Sequence, residues 1–325
     1  HDQCDLDFSN PDVLIEVLGI IDAYLEAGVR VLRLDAVAYL WKRLGTPCIH
    51  LAETHLVIRL LRILLARRCP EARLITETNV PSPENLTYFS HATEAHGIYN
   101  FSLPPLLLDA LLRGDSGHLQ TWMMSMPPAP LGTTYLNFVA SHDGIGLRPA
   151  EGILTDEEIS GLAEAVRARG GHVSEYRGEH GPRPYELNIS LVDALGGDEF
   201  GIDRFVCAHA IILALEGVPG FYVHSLLATP SDHDAVERTG APRSINRSRR
   251  ERAEVEAALA EPSSDTARIF ARLTELMTLR RRQPAFYPNA TQFTLSLGSN
   301  LFGFWRQSID RDQSIFAIAN VTDTP

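Results

Sequence analysis

Three apolar runs of this chain each end on a carboxylate, and helix-length segments separate them. The runs are Val29-Arg30-Val31-Leu32-Arg33-Leu34-Asp35, Arg73-Leu74-Ile75-Thr76-Glu77, and Tyr135-Leu136-Asn137-Phe138-Val139-Ala140-Ser141-His142-Asp143. Continuous Val/Ile/Leu runs are the mark of parallel strands buried on both faces. A charged group at the exit of such a strand stands at the C-terminal rim of a barrel, where that architecture keeps its chemistry. Three such acids in order point to an active site built from carboxylates.

Bulk properties remove several alternatives. A chain of 325 residues with 45% hydrophobic composition suffices for one large domain, or one domain plus a small one. Its formal charge of −12 disfavours a nucleic-acid partner. No apolar run approaches membrane-spanning length and nothing resembles a secretory signal, so the expectation is a cytoplasmic protein with no membrane partner. Cys4, Cys48, Cys69 and Cys207 are scattered and read as reduced thiols rather than disulfides or metal ligands. The first residue is His1, so the chain is expected to be processed or a piece of a longer protein.

Periodicity supplies the organisation. After a polar opening, Val13, Leu14, Val17, Leu18, Ile21, Tyr24 and Leu25 fall at helical spacing from Pro11, and Gly28 ends the helix. The strand 29–35 follows, then a helix over roughly 52–69 and the strand ending at Glu77. Residues 80–84 read as a loop, 97–101 as a short strand, 104–113 as a helix and 134–140 as the third carboxylate strand. A long Gly-, Glu- and Arg-rich connection spans about 144–198, with one amphipathic helix near 155–169. A helix at 206–215, a turn and strand at 217–223, a polar loop at about 225–264 and a helix at 266–282 complete the alternation. After Pro284 the runs 291–297, 301–306 and 314–319 read as antiparallel strands between Gly/Asn/Asp turns.

The fold class expected is therefore α/β. Residues 1–284 read as the C-terminal part of a (β/α)8 TIM barrel, and 285–325 as the beginning of a small antiparallel β-domain. About five strand–helix units are found where a closed barrel needs eight, so the first strands are expected to be missing.

The acids carry distinct chemistry. Arg33 lies two residues before Asp35, on the same strand face, where its guanidinium would hold the carboxylate ionised and oriented. That suits a nucleophile; a structural Arg–Asp pair is the alternative. Glu77 leaves an apolar strand, which suits a general acid; a helix-capping or solvated Glu is the alternative. His142 and Asp143 sit side by side before Gly144, placed to hydrogen-bond sugar hydroxyls or simply to begin a polar loop. Together the three acids point to glycoside chemistry, in which retaining enzymes hold two carboxyl groups about 5–5.5 Å apart.

Arg33-Leu34-Asp35-Ala36-Val37, Thr76-Glu77-Thr78-Asn79 and Ser141-His142-Asp143-Gly144 resemble three of the four signature regions of the α-amylase superfamily, glycoside hydrolase family 13. The resemblance implies Asp35 as nucleophile, Glu77 as acid/base and Asp143 as transition-state stabiliser, with Arg33 and His142 on the glucosyl unit. Trp41 to Thr46, Ser141 to Pro149, Tyr185-Glu186-Leu187-Asn188 and Arg243-Ser244-Ile245-Asn246-Arg247 are similar to the sucrose phosphorylase subfamily. Ser141 to Ile153 and Glu77-Thr78-Asn79-Val80-Pro81 resemble its sucrose 6-phosphate and glucosylglycerate phosphorylase branch.

The resemblance implies an enzyme that transfers glucose from a small α-glucoside to inorganic phosphate by double displacement, with no metal or organic cofactor. Alternatives are a hydrolase or transglycosylase on the same scaffold, and an inactive or sugar-binding relative. The family's first signature region and its first three barrel strands have no counterpart here, so the chain is expected to begin just before the fourth barrel unit.

Asn79, Tyr185, Glu186 and Arg243 are expected at the substrate site. Arg183 is expected to meet an anionic acceptor, since the guanidinium fork binds phosphate and carboxylate bidentately. Arg177, Arg247, Arg249, Arg250 and Arg252 add positive charge to the two long loops. The sequence sets no oligomeric state. Gly114-Asp115-Ser116-Gly117 resembles a serine-protease tetrad but lies between helical stretches and reads as a turn. His50 and His55 lack the i,i+4 spacing of a zinc helix.

Overall fold

The computed structural model describes residues 5–178 and 181–324, with the backbone alone for Arg177 and Gly178. His1 and Cys4 lie outside the described residues. The chain forms two compact units, His1–Tyr99 with Ala129–Tyr135, and Asn100–Pro128 with Leu136–Pro325.

The first unit begins with α1 (Pro11–Glu26). Asn10 caps it by accepting from the Asp12 N–H, and Pro11 stands where no donor is needed. Gly28 then takes φ +95°, which turns the chain into β1 (Val31–Leu34). Helix α2 (Ala52–Arg68) follows and buries Val57, Ile58, Leu61 and Leu65. Leu56 and Leu60 of the same helix are exposed, one position off the buried stripe. Strand β2 (Arg73–Thr76) pairs with β1 in parallel, from Val31↔Arg73 to Leu34↔Thr76.

The stretch read as a loop at 80–84 turns helical at α3 (Ser82–Leu86), because Pro83 in its first turn presets φ and lacks only a donor that would go unused. Strand β3 (Gly97–Tyr99) adds to β2 in parallel.

The second unit opens with α4 (Leu103–Arg113), closed by Gly114 in the left-handed region, and α5 (Gly117–Ser125). The serine of the protease-like tetrad is structural. Ser116 is fully buried and its hydroxyl donates to the Ser299 and Leu301 carbonyls. Strand β4 (Thr134–Asn137) contributes its last two residues to this unit.

The connection at 144–198 departs from the expected loop. It holds β5 (Ile145–Gly146), α6 (Asp156–Ala168), β6 (His172–Gly178), β7 (Gly181–Asn188) and α7 (Leu191–Leu195). The strands form an antiparallel sheet in the order β5-β7-β6. Pro182 and Pro184 inside β7 disguise it, since proline removes ladder donors, and the pairing absorbs them with a register shift between Ser174 and Glu175.

Helix α8 (Gly201–Ala214) leads to β8 (Val218–Pro219), which pairs in parallel with Leu136 and Asn137. The expected polar loop at 225–264 is also structured. It carries α9 (Val223–Leu226), α10 (His233–Thr239), a 3-10 turn at Pro242–Asn246 and α11 (Arg252–Ala260). Helix α11 buries no residue, so it lacks the apolar period that reveals a helix. Helix α12 (Asp265–Arg281) buries Ile269 and Leu273.

Strands β9 (Thr291–Leu295), β10 (Leu301–Gln307) and β11 (Ser314–Asn320) form the antiparallel sheet expected after Pro284. Arg306, fully buried, donates to the carbonyls of Ala214, Tyr287 and Ala290 and ties β10 to the end of α8. Among the described residues five strands, β1 to β4 and β8, pair in parallel or continue such a strand. No described helix is long and apolar enough to cross a membrane.

Candidate active site

In the first unit the parallel register decides which acids meet. Leu34 stands opposite Thr76, so the next residues out of β1 and β2 are Asp35 and Glu77. Arg33 joins them. Its Nη1 bonds Asp35 Oδ1, and its Nη2 lies 4.0 Å from Glu77 Oε1. One guanidinium spanning both acids keeps them inside the ~9.5 Å upper limit for a glycosidase pair.

Ala36 adopts φ +45°, an uncommon conformation for a residue with a Cβ, and its N–H donates to Glu77 Oε2 at 2.7 Å. Glu77 is therefore held from two sides and its side chain is 13% exposed, whereas that of Asp35 is 67% exposed. Burial works against the Arg33 charge, but the bond to Asp35 and the fields of Tyr99, Glu77 and Asp35 outweigh it and raise its pKa. The Tyr99 ring lies 5.5 Å from the guanidinium carbon. Asn79 leaves the same strand end, and its buried Oδ1 has no partner among the described residues.

The second unit assembles a different cluster around Asp143. Arg243 and Arg247 both donate to its Oδ1, at 3.2 and 2.9 Å. Arg247 also donates to the His142 carbonyl at 3.0 Å, and Asn246 Nδ2 to the Asp143 carbonyl at 3.2 Å. The Tyr222 hydroxyl holds the Asn246 carbonyl at 2.5 Å. His142 Nε2 lies 3.4 Å from the other Asp143 oxygen.

Arg243 is forked onto Glu186 of β7, with Nε to Oε1 at 3.0 Å and Nη2 to Oε2 at 2.6 Å. That bond, against the cost of burial, and the fields of Glu186, Asp143 and Tyr185 raise the Arg243 pKa. Gly144 makes the arrangement possible: a Cβ there would lie 2.5 Å from the Leu187 carbonyl and 2.6 Å from Glu186 Cγ.

The first unit thus brings together Arg33, Asp35 and Glu77, and the second brings together His142, Asp143, Glu186 and Arg243. Arg183 sits elsewhere on β7 and pairs with Asp156 at 3.1 Å. Tyr185 meets Tyr176 edge to face at 6.4 Å between centroids. The side chain of Arg177 lies outside the described residues. Arg247, Asn246 and Tyr222 are contributors that the residue-by-residue reading did not place at the site. For Arg247 and Asn246 the signal was the run Arg243-Ser244-Ile245-Asn246-Arg247, which a 3-10 turn at Pro242–Asn246 folds against Asp143. Among the described residues no group of three or more His, Cys, Asp or Glu could hold a metal ion.

No family model matches the chain. It is 42% identical over 99% of its length to the glucosylglycerate phosphorylase of Spirochaeta thermophila. It is 39% identical over 95% of its length to that of Escherichia coli. It spans about 56% of the length of each of these curated relatives. The crystal structure of a sucrose 6F-phosphate phosphorylase from Thermoanaerobacter thermosaccharolyticum superposes with a TM-score of 0.83 at 23% identity, over 97% of this chain and 61% of that one. That likeness shows the fold to be the expected (β/α)8 barrel type with a following antiparallel β-sheet.

Proposed function

Because the chain belongs to the sucrose phosphorylase-like group of glycoside hydrolase family 13, we propose that its protein is an α-glucoside phosphorylase that retains anomeric configuration. The observation that carries the reading is the shared Arg33 between Asp35 and Glu77, with the Ala36 N–H on Glu77. Two acids on neighbouring strand ends, one open and one enclosed, suit attack and protonation at a single glycosidic bond.

Asp35 attacks the anomeric carbon as the bond to the leaving oxygen breaks, and Glu77 gives that oxygen its proton. A β-glucosyl ester of Asp35 results. Inorganic phosphate then attacks the anomeric carbon, Glu77 takes the phosphate proton, and the ester bond breaks to release α-glucose 1-phosphate and the Asp35 carboxylate. Asp143 stabilises the oxocarbenium-like transition state. The pair of steps balances with phosphate as the sole co-substrate. The glucosylglycerate phosphorylases among the relatives support glucosylglycerate as the first donor to test. A cytoplasmic setting agrees with the reading of the cysteines as reduced.

The test is product analysis with the full-length protein on glucosylglycerate, glucosylglycerol, sucrose and sucrose 6-phosphate, with and without phosphate. Phosphate-dependent release of glucose 1-phosphate from one donor is expected. Glucose released equally without phosphate would make the protein a hydrolase, and absence of turnover with bound sugar would make it a binding relative.

A further inference from the structure

We propose that Glu186 is a positioning residue that keeps Arg243 from closing on Asp143; the inference rests on the phosphorylase reading and deepens it. Glu186 is 2% exposed and gives both carboxylate oxygens to Arg243. Buried in this way, it acts through the guanidinium it holds. The side fork of Arg243, its Nε and Nη2 edge, is committed to Glu186, and the group that reaches Asp143 is Nη1.

A guanidinium prefers a bidentate carboxylate, and Asp143 is the nearest other carboxylate to Arg243 among its bonded partners. Without the Glu186 charge the fork turns to Asp143, where Arg247 already donates to the same Oδ1. Two fully engaged cations would neutralise the carboxylate that has to stabilise positive charge on the sugar. Glu186 thus divides the Arg243 charge and keeps Asp143 electrostatically available.

The experiment compares Glu186→Gln, Glu186→Asp and the double variant Glu186→Gln/Arg243→Gln in the full-length protein. Glu186→Gln is expected to lower kcat on the order of 10²-fold, as loss of transition-state charge stabilisation does, with donor KM changed less than about 3-fold, since uniform binding is untouched. Glu186→Asp keeps the charge and retains most of kcat. The double variant removes the buried Glu186 charge and its partly exposed Arg243 partner together, which costs less than stranding one, and recovers at least about a tenfold part of kcat.

A loss confined to KM would make Glu186 a substrate contact and overturn the proposal. So would a double variant no faster than Glu186→Gln. A crystal structure of Glu186→Gln gives a readout independent of turnover: Arg243 bidentate on Asp143 is expected, and an unmoved Arg243 refutes it. If Glu186→Gln fails to fold, Glu186→Asp decides, since a kcat loss as large as 10²-fold with the charge retained contradicts the argument. Lack of phosphate-dependent turnover in the unsubstituted protein would sink the phosphorylase reading, leaving the structural arm to judge Glu186.

Discussion

The two acid clusters solve opposite electrostatic problems with the same residue type. Around Arg33, one guanidinium serves two acids, and the outer one, Asp35, is largely exposed. Around Asp143, two guanidiniums converge on one oxygen, and the buried Glu186 balances the surplus cation. A carboxylate that has to attack needs its charge undiluted. A carboxylate that has to stay fixed gains from being clamped, provided the clamp does not cancel it.

The largest expected effect separates a covalent role from a field role. Asp35→Asn in the full-length protein should remove turnover by at least ~10⁴-fold, as loss of a nucleophile does. Steady-state kinetics checks it, and substantial residual activity would transfer the nucleophile elsewhere. Glu77→Gln should cost ~10²–10⁴-fold on a poor leaving group, the range of general acid catalysis. An α-glucosyl fluoride, whose leaving group needs little protonation, should suffer far less in the first step; equal losses on both donors would break the assignment.

The second cluster can be strained without touching its charges. Gly144→Ala pushes a Cβ against the Leu187 carbonyl. Denaturant unfolding should show a loss of ~1–3 kcal/mol, the cost of overpacking, and an unchanged midpoint would mean that the loop and β7 separate easily.

A buried histidine tests the core of the second unit. His209 is fully buried between Phe205 and Phe221, donates to the Phe205 carbonyl, and is pushed down to about 4 by burial. The unfolded chain takes up this proton near its ordinary value and the folded chain does not. Stability from His209 is thus present above about pH 6.5 and falls as pH drops from there towards 4, by an amount on the order of ~3 kcal/mol. Denaturant titrations at pH 7 and pH 4.5 should show the loss, and His209→Asn should flatten this part of it.

Legibility followed the hydrophobic period. Helices α1, α2, α4 and α12 and strands β1, β2 and β9 to β11 could be read because each carries an apolar period or run between turn residues. The sheet β5-β7-β6 and helix α11 could not, since prolines interrupt β7 and α11 has no buried side. The Arg33 and Asp35 pairing was visible from i, i+2 alternation. The bond between Ala36 and Glu77 was not, because it depends on a positive φ at an alanine. Likewise Arg243 was legible as a site residue, but its division between Asp143 and Glu186 joins residues 100 and 57 positions apart.

By itself the sequence determined the parallel strands β1, β2 and β4, the three acids that follow them and the family, because those rest on local pattern and residue identity. Only the tertiary structure decided which charges share which partners. Long-range register and buried pairing set that division, and they carry no local signature in the chain.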